Sequence, residues 1–144
     1  MAKHVFSLPP EDRKVLLKEI SGILKGREEI RYAYVFGSFV HESFFRDVDL
    51  AVRTFPETLP EVSFAYEDAL AQFIIEQTSI PYPVDVRLIN QVPISFEYKV
   101  FQGILLVDRT PEARVARVEY IVSRYLDLKP VLLQATREIF ANEP

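Results

Sequence analysis

The chain of 144 residues contains no cysteine. That excludes disulfides, thiolate metal sites and a cysteine nucleophile. It has only two histidines, His4 and His41. So few argue against a histidine-rich metal centre or a serine–histidine couple. No stretch is apolar enough to cross a bilayer, and MAKHVFSLPPEDRK lacks an apolar run of signal-peptide length. The expectation is a soluble, cytoplasmic protein with no membrane partner. Excess positive charge is also missing. Seventeen basic side chains stand against 21 acidic ones, for a net charge of −4, which disfavours direct nucleic-acid binding. Repeats, low-complexity runs and long linkers are absent, so one domain over 1–144 is expected.

What is present reads as alternating helix and strand. Pro9-Pro10 opens a helix whose apolar residues Val15, Leu16, Ile20, Ile23 and Leu24 recur at helical spacing until Gly26. Ile30 to Phe36 reads as a strand, and so does Val48 to Arg53. Phe64 to Thr78 reads as a helix, Val84 to Ile89 as a strand, and Ser95 to Phe101 as a short helix. Ile104 to Val107 is a further short strand. Helix resumes at Pro111, and Pro130 is expected to end or kink it before a second piece, Val131 to Phe140. This order predicts an α/β fold, a small mixed sheet flanked by helices. The core spans about 28–108, with C-terminal helices over about 111–142. The late basic residues Arg109, Arg114, Arg117, Arg124, Lys129 and Arg137 read first as a solvated face and second as a docking surface.

The chemistry sits in one constellation. Phe36-Gly37-Ser38 closes the first strand, and eight residues later comes Asp47-Val48-Asp49-Leu50. In a strand, residues i and i+2 share a face, with Cα atoms roughly 6.6 Å apart. Two carboxylates that close repel unless a cation lies between them, and a hard divalent ion such as Mg²⁺ takes such oxygen ligands. Asp85 alternates with Val84 and Val86 on a later strand. If the two strands are neighbours, three carboxylates meet, enough for two ions roughly 3.5–4 Å apart. Gly37 permits close backbone approach and unusual φ. Ser38 is placed to start a short helix facing an anion. His41 reads as a loop residue, Phe39, Phe44 and Phe45 as packing residues, and Lys99 and Arg87 as candidate phosphate partners.

These residues resemble the signature of the DNA polymerase β-like nucleotidyltransferase superfamily, and more narrowly the minimal nucleotidyltransferases of the MNT or MntA-like group. That signature is an apolar residue, Gly-Ser, a spacer, Asp-x-Asp and an apolar residue, with a later carboxylate. Here it falls on Phe36, Gly37, Ser38, Asp47, Asp49, Leu50 and Asp85. The resemblance implies the nucleotidyltransferase fold with a C-terminal helical extension. It implies that Gly37 and Ser38 hold the nucleoside triphosphate, ATP. It also implies that Asp47, Asp49 and Asp85 are catalytic and bind two Mg²⁺ ions. The run Arg124 to Pro130 is similar to the closing helix of the MntA-like group. Its members pair with HEPN-domain toxins and, where activity is known, transfer AMP to a toxin tyrosine. A homo-oligomer, or a complex with several partner copies, is a further expectation.

The chain departs from the signature in its spacer, Phe39 to Arg46. Eight residues stand where about ten are common, with no glycine, and Arg46 replaces a serine. A second reading therefore keeps the fold and neutralises the partner by binding alone.

Overall fold

The computed structural model describes residues 4–141. Helix α1 (Pro10–Lys25) begins with proline, which sacrifices no helical N–H, and carries Glu11 and Asp12 at its positive end and Lys25 at its negative end. It leads into β2 (Ile30–Phe36), the short α2 (Ser38–His41) and β4 (Val48–Thr54). Then follow α3 (Ser63–Thr78), β5 (Val84–Leu88), α4 (Ile94–Phe101) and β6 (Ile104–Asp108). Helix α5 (Pro111–Ala141) closes the chain. Two further strands, β1 (Phe6–Ser7) and β3 (Phe44–Phe45), pair antiparallel with each other.

The main sheet has the order β5-β4-β2-β6, with β4 parallel to β5 and the other neighbours antiparallel. Alternation along the strands supplies two apolar faces. On one, Ala33, Val35, Leu50 and Val52 pack with Leu16, Ile20 and Leu24 of α1 and Leu70 and Ile74 of α3. On the other, Tyr32, Tyr34, Phe36 and Ala51 pack with Val100, Phe96 and Phe101 of α4. Each such large side chain, taken wholly from water, stabilises by about 1.5–3 kcal/mol. The strands and helices expected from the sequence are therefore present within a residue or two, arranged as the mixed, helix-flanked sheet.

Three expectations need correction. The strands β1 and β3 were not foreseen. Each is two residues long, too short for a visible period, and they lie far apart in the chain. Second, α5 does not end at Pro130 but runs through it as one helix. Proline deprives the Leu126 carbonyl of its helical donor. This stretch is exposed, so water can satisfy that carbonyl. The expected end near residue 142 lies outside the described residues. Third, half of the late basic residues are tied to groups of this same chain. Arg109 donates to the carbonyls of Lys25 (2.5 Å) and Arg27 (3.1 Å). Arg114 donates to Asp108 (2.7 Å) and the Tyr34 hydroxyl (3.2 Å). Arg117 makes a two-pronged pair with Glu97 at 2.6 and 2.9 Å.

That last contact ties α5 to α4. Glu97 is only 1% exposed, and its charge is compensated by the guanidinium. Tyr98 and Tyr125 stack beside it, with ring centroids 3.9 Å apart and planes at 10°. Gly103, between α4 and β6, lies where a Cβ would fall on the Val35 carbonyl oxygen. Gly103→Ala should therefore cost about 1–3 kcal/mol of stability, measured as a lower urea midpoint with an unchanged slope.

Candidate active site

The site is assembled where β2 stops. Gly37 adopts φ 81° and ψ −156°, a conformation that side chains resist. A Cβ there would lie 2.6 Å from the Asp49 carboxylate oxygen Oδ2. The absence of a side chain lets backbone and carboxylate touch. The same turn starts α2 at Ser38, as the sequence predicts, and the first amides of a helix have no helical acceptor.

Asp49 is paired across the sheet with Phe36 on one side and with Asp85 on the other. The β4–β5 register thus brings Asp85 beside Asp49 at the backbone. Asp47 lies next to Asp49, just before β4 begins. The Asp49 carboxyl is pushed up to about 7, by burial first, then by the charge of Asp47 and, more weakly, of Asp85; the Lys99 charge opposes this. Asp85 is half exposed and turns toward Arg87, with Oδ2 3.8 Å from Nε. Among the described residues, no three carboxylate or histidine groups close into a ready-made cation cage. The donors at hand are nonetheless all oxygens, two crowded together and one on the adjacent strand. They fit a hard divalent ion with open positions for phosphate.

Beside Ser38 and Asp47 opens a cleft of about 390 Å³, lined also by Val5, Glu42, Phe44, Phe45 and Arg46. Among the described residues, Arg46 forms no ion pair with Asp47 or Asp49. Phe39 and Phe45 are buried, as packing residues should be, whereas Phe44 is 63% exposed at the cleft. His41 is the exposed last residue of α2.

Sequence reasoning missed the residue that holds the short spacer in place. Arg13, on α1, donates to the carbonyls of Leu8 (2.8 Å), Phe39 (2.5 Å), Glu42 (2.9 Å) and Ser43 (2.7 Å). Its guanidinium also lies over the rings of Phe39 and Phe45, 5.2 and 5.0 Å from their centroids. Around it Phe6, Phe45 and Tyr82 make edge-to-face contacts at 4.9 and 5.0 Å. One side chain that satisfies backbone carbonyls leaves no spacing pattern in a sequence.

A strand ending at Gly37-Ser38, a one-turn helix, and carboxylates at β4 and β5 are the elements expected of a nucleotidyltransferase site. The comparisons agree. The family model "Polymerase beta, Nucleotidyltransferase" matches residues 18–112. The chain belongs to this nucleotidyltransferase family. No curated protein matches the sequence closely enough to count as a relative. Several solved structures share the fold. A chain from the complex of the tri-AMPylated Shewanella oneidensis HEPN toxin with MNT antitoxin superposes with a TM-score of 0.67 at 18% identity, covering 89% of this chain and 98% of that one. For the toxin–antitoxin MntA–HepT the figures are 0.65 and 18%, covering 88% and 98%. For a toxin–antitoxin structure with AMP-PNP they are 0.64 and 18%, covering 92% and 99%. At this identity the likeness is one of fold. Among the described residues, no helix is long and apolar enough to cross a membrane.

Two outcomes test this local account. Arg13→Met should lower stability by about 2 kcal/mol and speed hydrogen exchange across residues 39–46 more than elsewhere. Asp49→Asn removes a crowded charge and should raise metal-free stability by about 1 kcal/mol after screening, read from urea unfolding in EDTA.

Proposed function

We propose that this protein is a Mg²⁺-dependent nucleotidyltransferase acting in the cytoplasm. It is the antitoxin of a HEPN-type toxin–antitoxin pair and transfers AMP from ATP to a hydroxyl of its partner. The observation that carries this reading is the side-by-side placement of Gly37, Asp49 and Asp85 at the end of the sheet. The fold neighbours support it, since they include an AMPylated HEPN toxin bound to MNT antitoxin and a complex with AMP-PNP.

The bare Gly37 backbone and the Ser38 hydroxyl face the triphosphate, and the cleft beside them takes the nucleotide. Asp47, Asp49 and Asp85 hold the Mg²⁺, which when bound offsets charge on the phosphates and favours in-line displacement. The partner hydroxyl oxygen attacks the α-phosphorus from the open side of β5. The bond from that phosphorus to the bridging oxygen breaks, and pyrophosphate leaves with the electron pair. The half-exposed Asp85 is placed to accept the hydroxyl proton. Lys99, whose charge already reaches Asp49, adds positive charge at the same edge.

A second reading is favoured by the shortened spacer, with Arg46 directly before Asp47, and by the open carboxylate set. In it the chain neutralises its partner by binding alone. The two are separated by incubating the protein, its HEPN-type partner, MgCl₂ and ATP labelled at the α-phosphate. Transfer to the partner, lowered about 100-fold or more by Asp49→Asn, supports catalysis. Transfer that survives the substitution sinks the proposed site. Rescue from toxicity by the Asp47→Ala/Asp49→Ala double variant at wild-type strength would favour binding alone.

A further inference from the structure

A second pocket lies at the opposite end of the same sheet face. It has a volume of about 320 Å³ and is bounded by Arg31 and Tyr32 of β2, Arg53 of β4, and Arg117 of α5. Ala113 and Ala116 leave its α5 wall low. Its location follows from an irregularity in the sheet. The β2–β4 register shifts between Ile30 and Tyr32, so that Ile30 faces Thr54 while Tyr32 faces Arg53. Arg31 is the extra residue. A bulge of this kind re-aims a side chain, and here Arg31 and Tyr32, neighbours that would otherwise alternate, border one cavity.

The donors in this pocket are underused. The Tyr32 hydroxyl and Arg53 Nη1 are both buried behind the pocket and lie near each other, yet neither makes a well-formed hydrogen bond. Tyr32 is 1% exposed. Native structures keep few such groups unless something outside the chain satisfies them. The one buried carboxylate nearby, Glu97, is already committed, because both its oxygens accept from Arg117. It lies 3.9 Å from Arg53 Nη1, an ion-pair distance too long for a hydrogen bond. Arg31 gives Nε to the Thr110 hydroxyl at 3.0 Å and has no carboxylate partner among the described residues. Three guanidiniums against one carboxylate leave two positive charges in excess.

We infer that this pocket binds a phosphate-bearing small anion, a phosphomonoester dianion. The excess charge matches a group that carries close to two negative charges at neutral pH. The donors arrive from β2, β4 and α5, which suits a tetrahedral oxyanion better than a planar carboxylate. Guanidinium forks are the usual recognition element for such oxygens. Tyr120, half exposed at the mouth with the Arg117 guanidinium 5.2 Å from its ring centroid, gives the organic part of the ligand an aromatic face. The pocket is separate from the Asp47/Asp49 cleft. Arg53 is four residues along β4 from Asp49, about 13 Å, and packed Tyr34 and Phe101 (5.4 Å between centroids) lie on the same face of the sheet. The inference does not rest on the proposed transferase activity.

Calorimetric titration of the full chain at low salt, without divalent cation, tests it with inorganic phosphate and with AMP. Phosphate should bind with a Kd of about 1 mM or tighter. Tyr32→Phe and Arg31→Gln should each weaken it about tenfold, and Asp47→Ala/Asp49→Ala should leave it unchanged. Tighter binding of AMP assigns a nucleoside monophosphate, and equal binding assigns the phosphate group alone. Tyr32→Phe removes a buried hydroxyl that makes no well-formed hydrogen bond, so its phosphate-free unfolding midpoint should stay close to that of the wild type. The phosphate-induced rise in midpoint should shrink in the same variant. No binding at about 20 mM phosphate, binding indifferent to both substitutions, or binding lost in the double aspartate variant overturns the inference.

Discussion

The antiparallel pairing of β2 with β4 is the constraint on which the rest of the structure depends. Phe36 faces Asp49 and Val35 faces Leu50, and this register decides which side chains enter which face. Because the period is two, a slip of one residue would drive Asp49 into the packing against α1 and α3 and bring Leu50 out. The two-sided apolar content of these central strands holds the register. Asp49 is kept off that face because Val48, Leu50 and Val52 are buried on it. Packing energy thus maintains an electrostatically unfavourable arrangement, with Asp47 crowded against a partly desolvated Asp49.

The strand pair also divides its own face into two regions of opposite charge. At the β2 end near Gly37, carboxylates gather. At the far end, Arg31, Arg53 and Arg117 gather around a single buried glutamate. Between them lies an uncharged aromatic strip, Tyr34, Phe36, Phe96 and Phe101, sealed by α4. Such a strip keeps opposite charges from collapsing onto each other.

Much of this was legible in the sequence, and what was legible shares one property. Strands and helices that bury a face write a period into the chain, as Ile30–Phe36 and Val48–Thr54 do. Gly37 before Ser38 marked the turn, because its conformation leaves few alternatives. What stayed hidden depends on partners distant in the chain. Arg13 and Glu97 carry no spacing signal; one clamps three carbonyls of the spacer and the other is buried by Arg117. Arg114 gave the false impression of a solvated face. The bulge at Arg31 was equally silent, since a register shift is a property of two strands together.

The course of α5 decides which of its turns hold the fold together. Its first three turns lock onto α4 and the sheet through Arg114, Arg117 and Ile121, whereas Leu126, Val131, Leu132, Leu133 and Ile139 are all exposed. The distal turns therefore contribute little to the buried core. The helix is thus part anchor and part free arm, and the sheet with its carboxylates rests on the anchor.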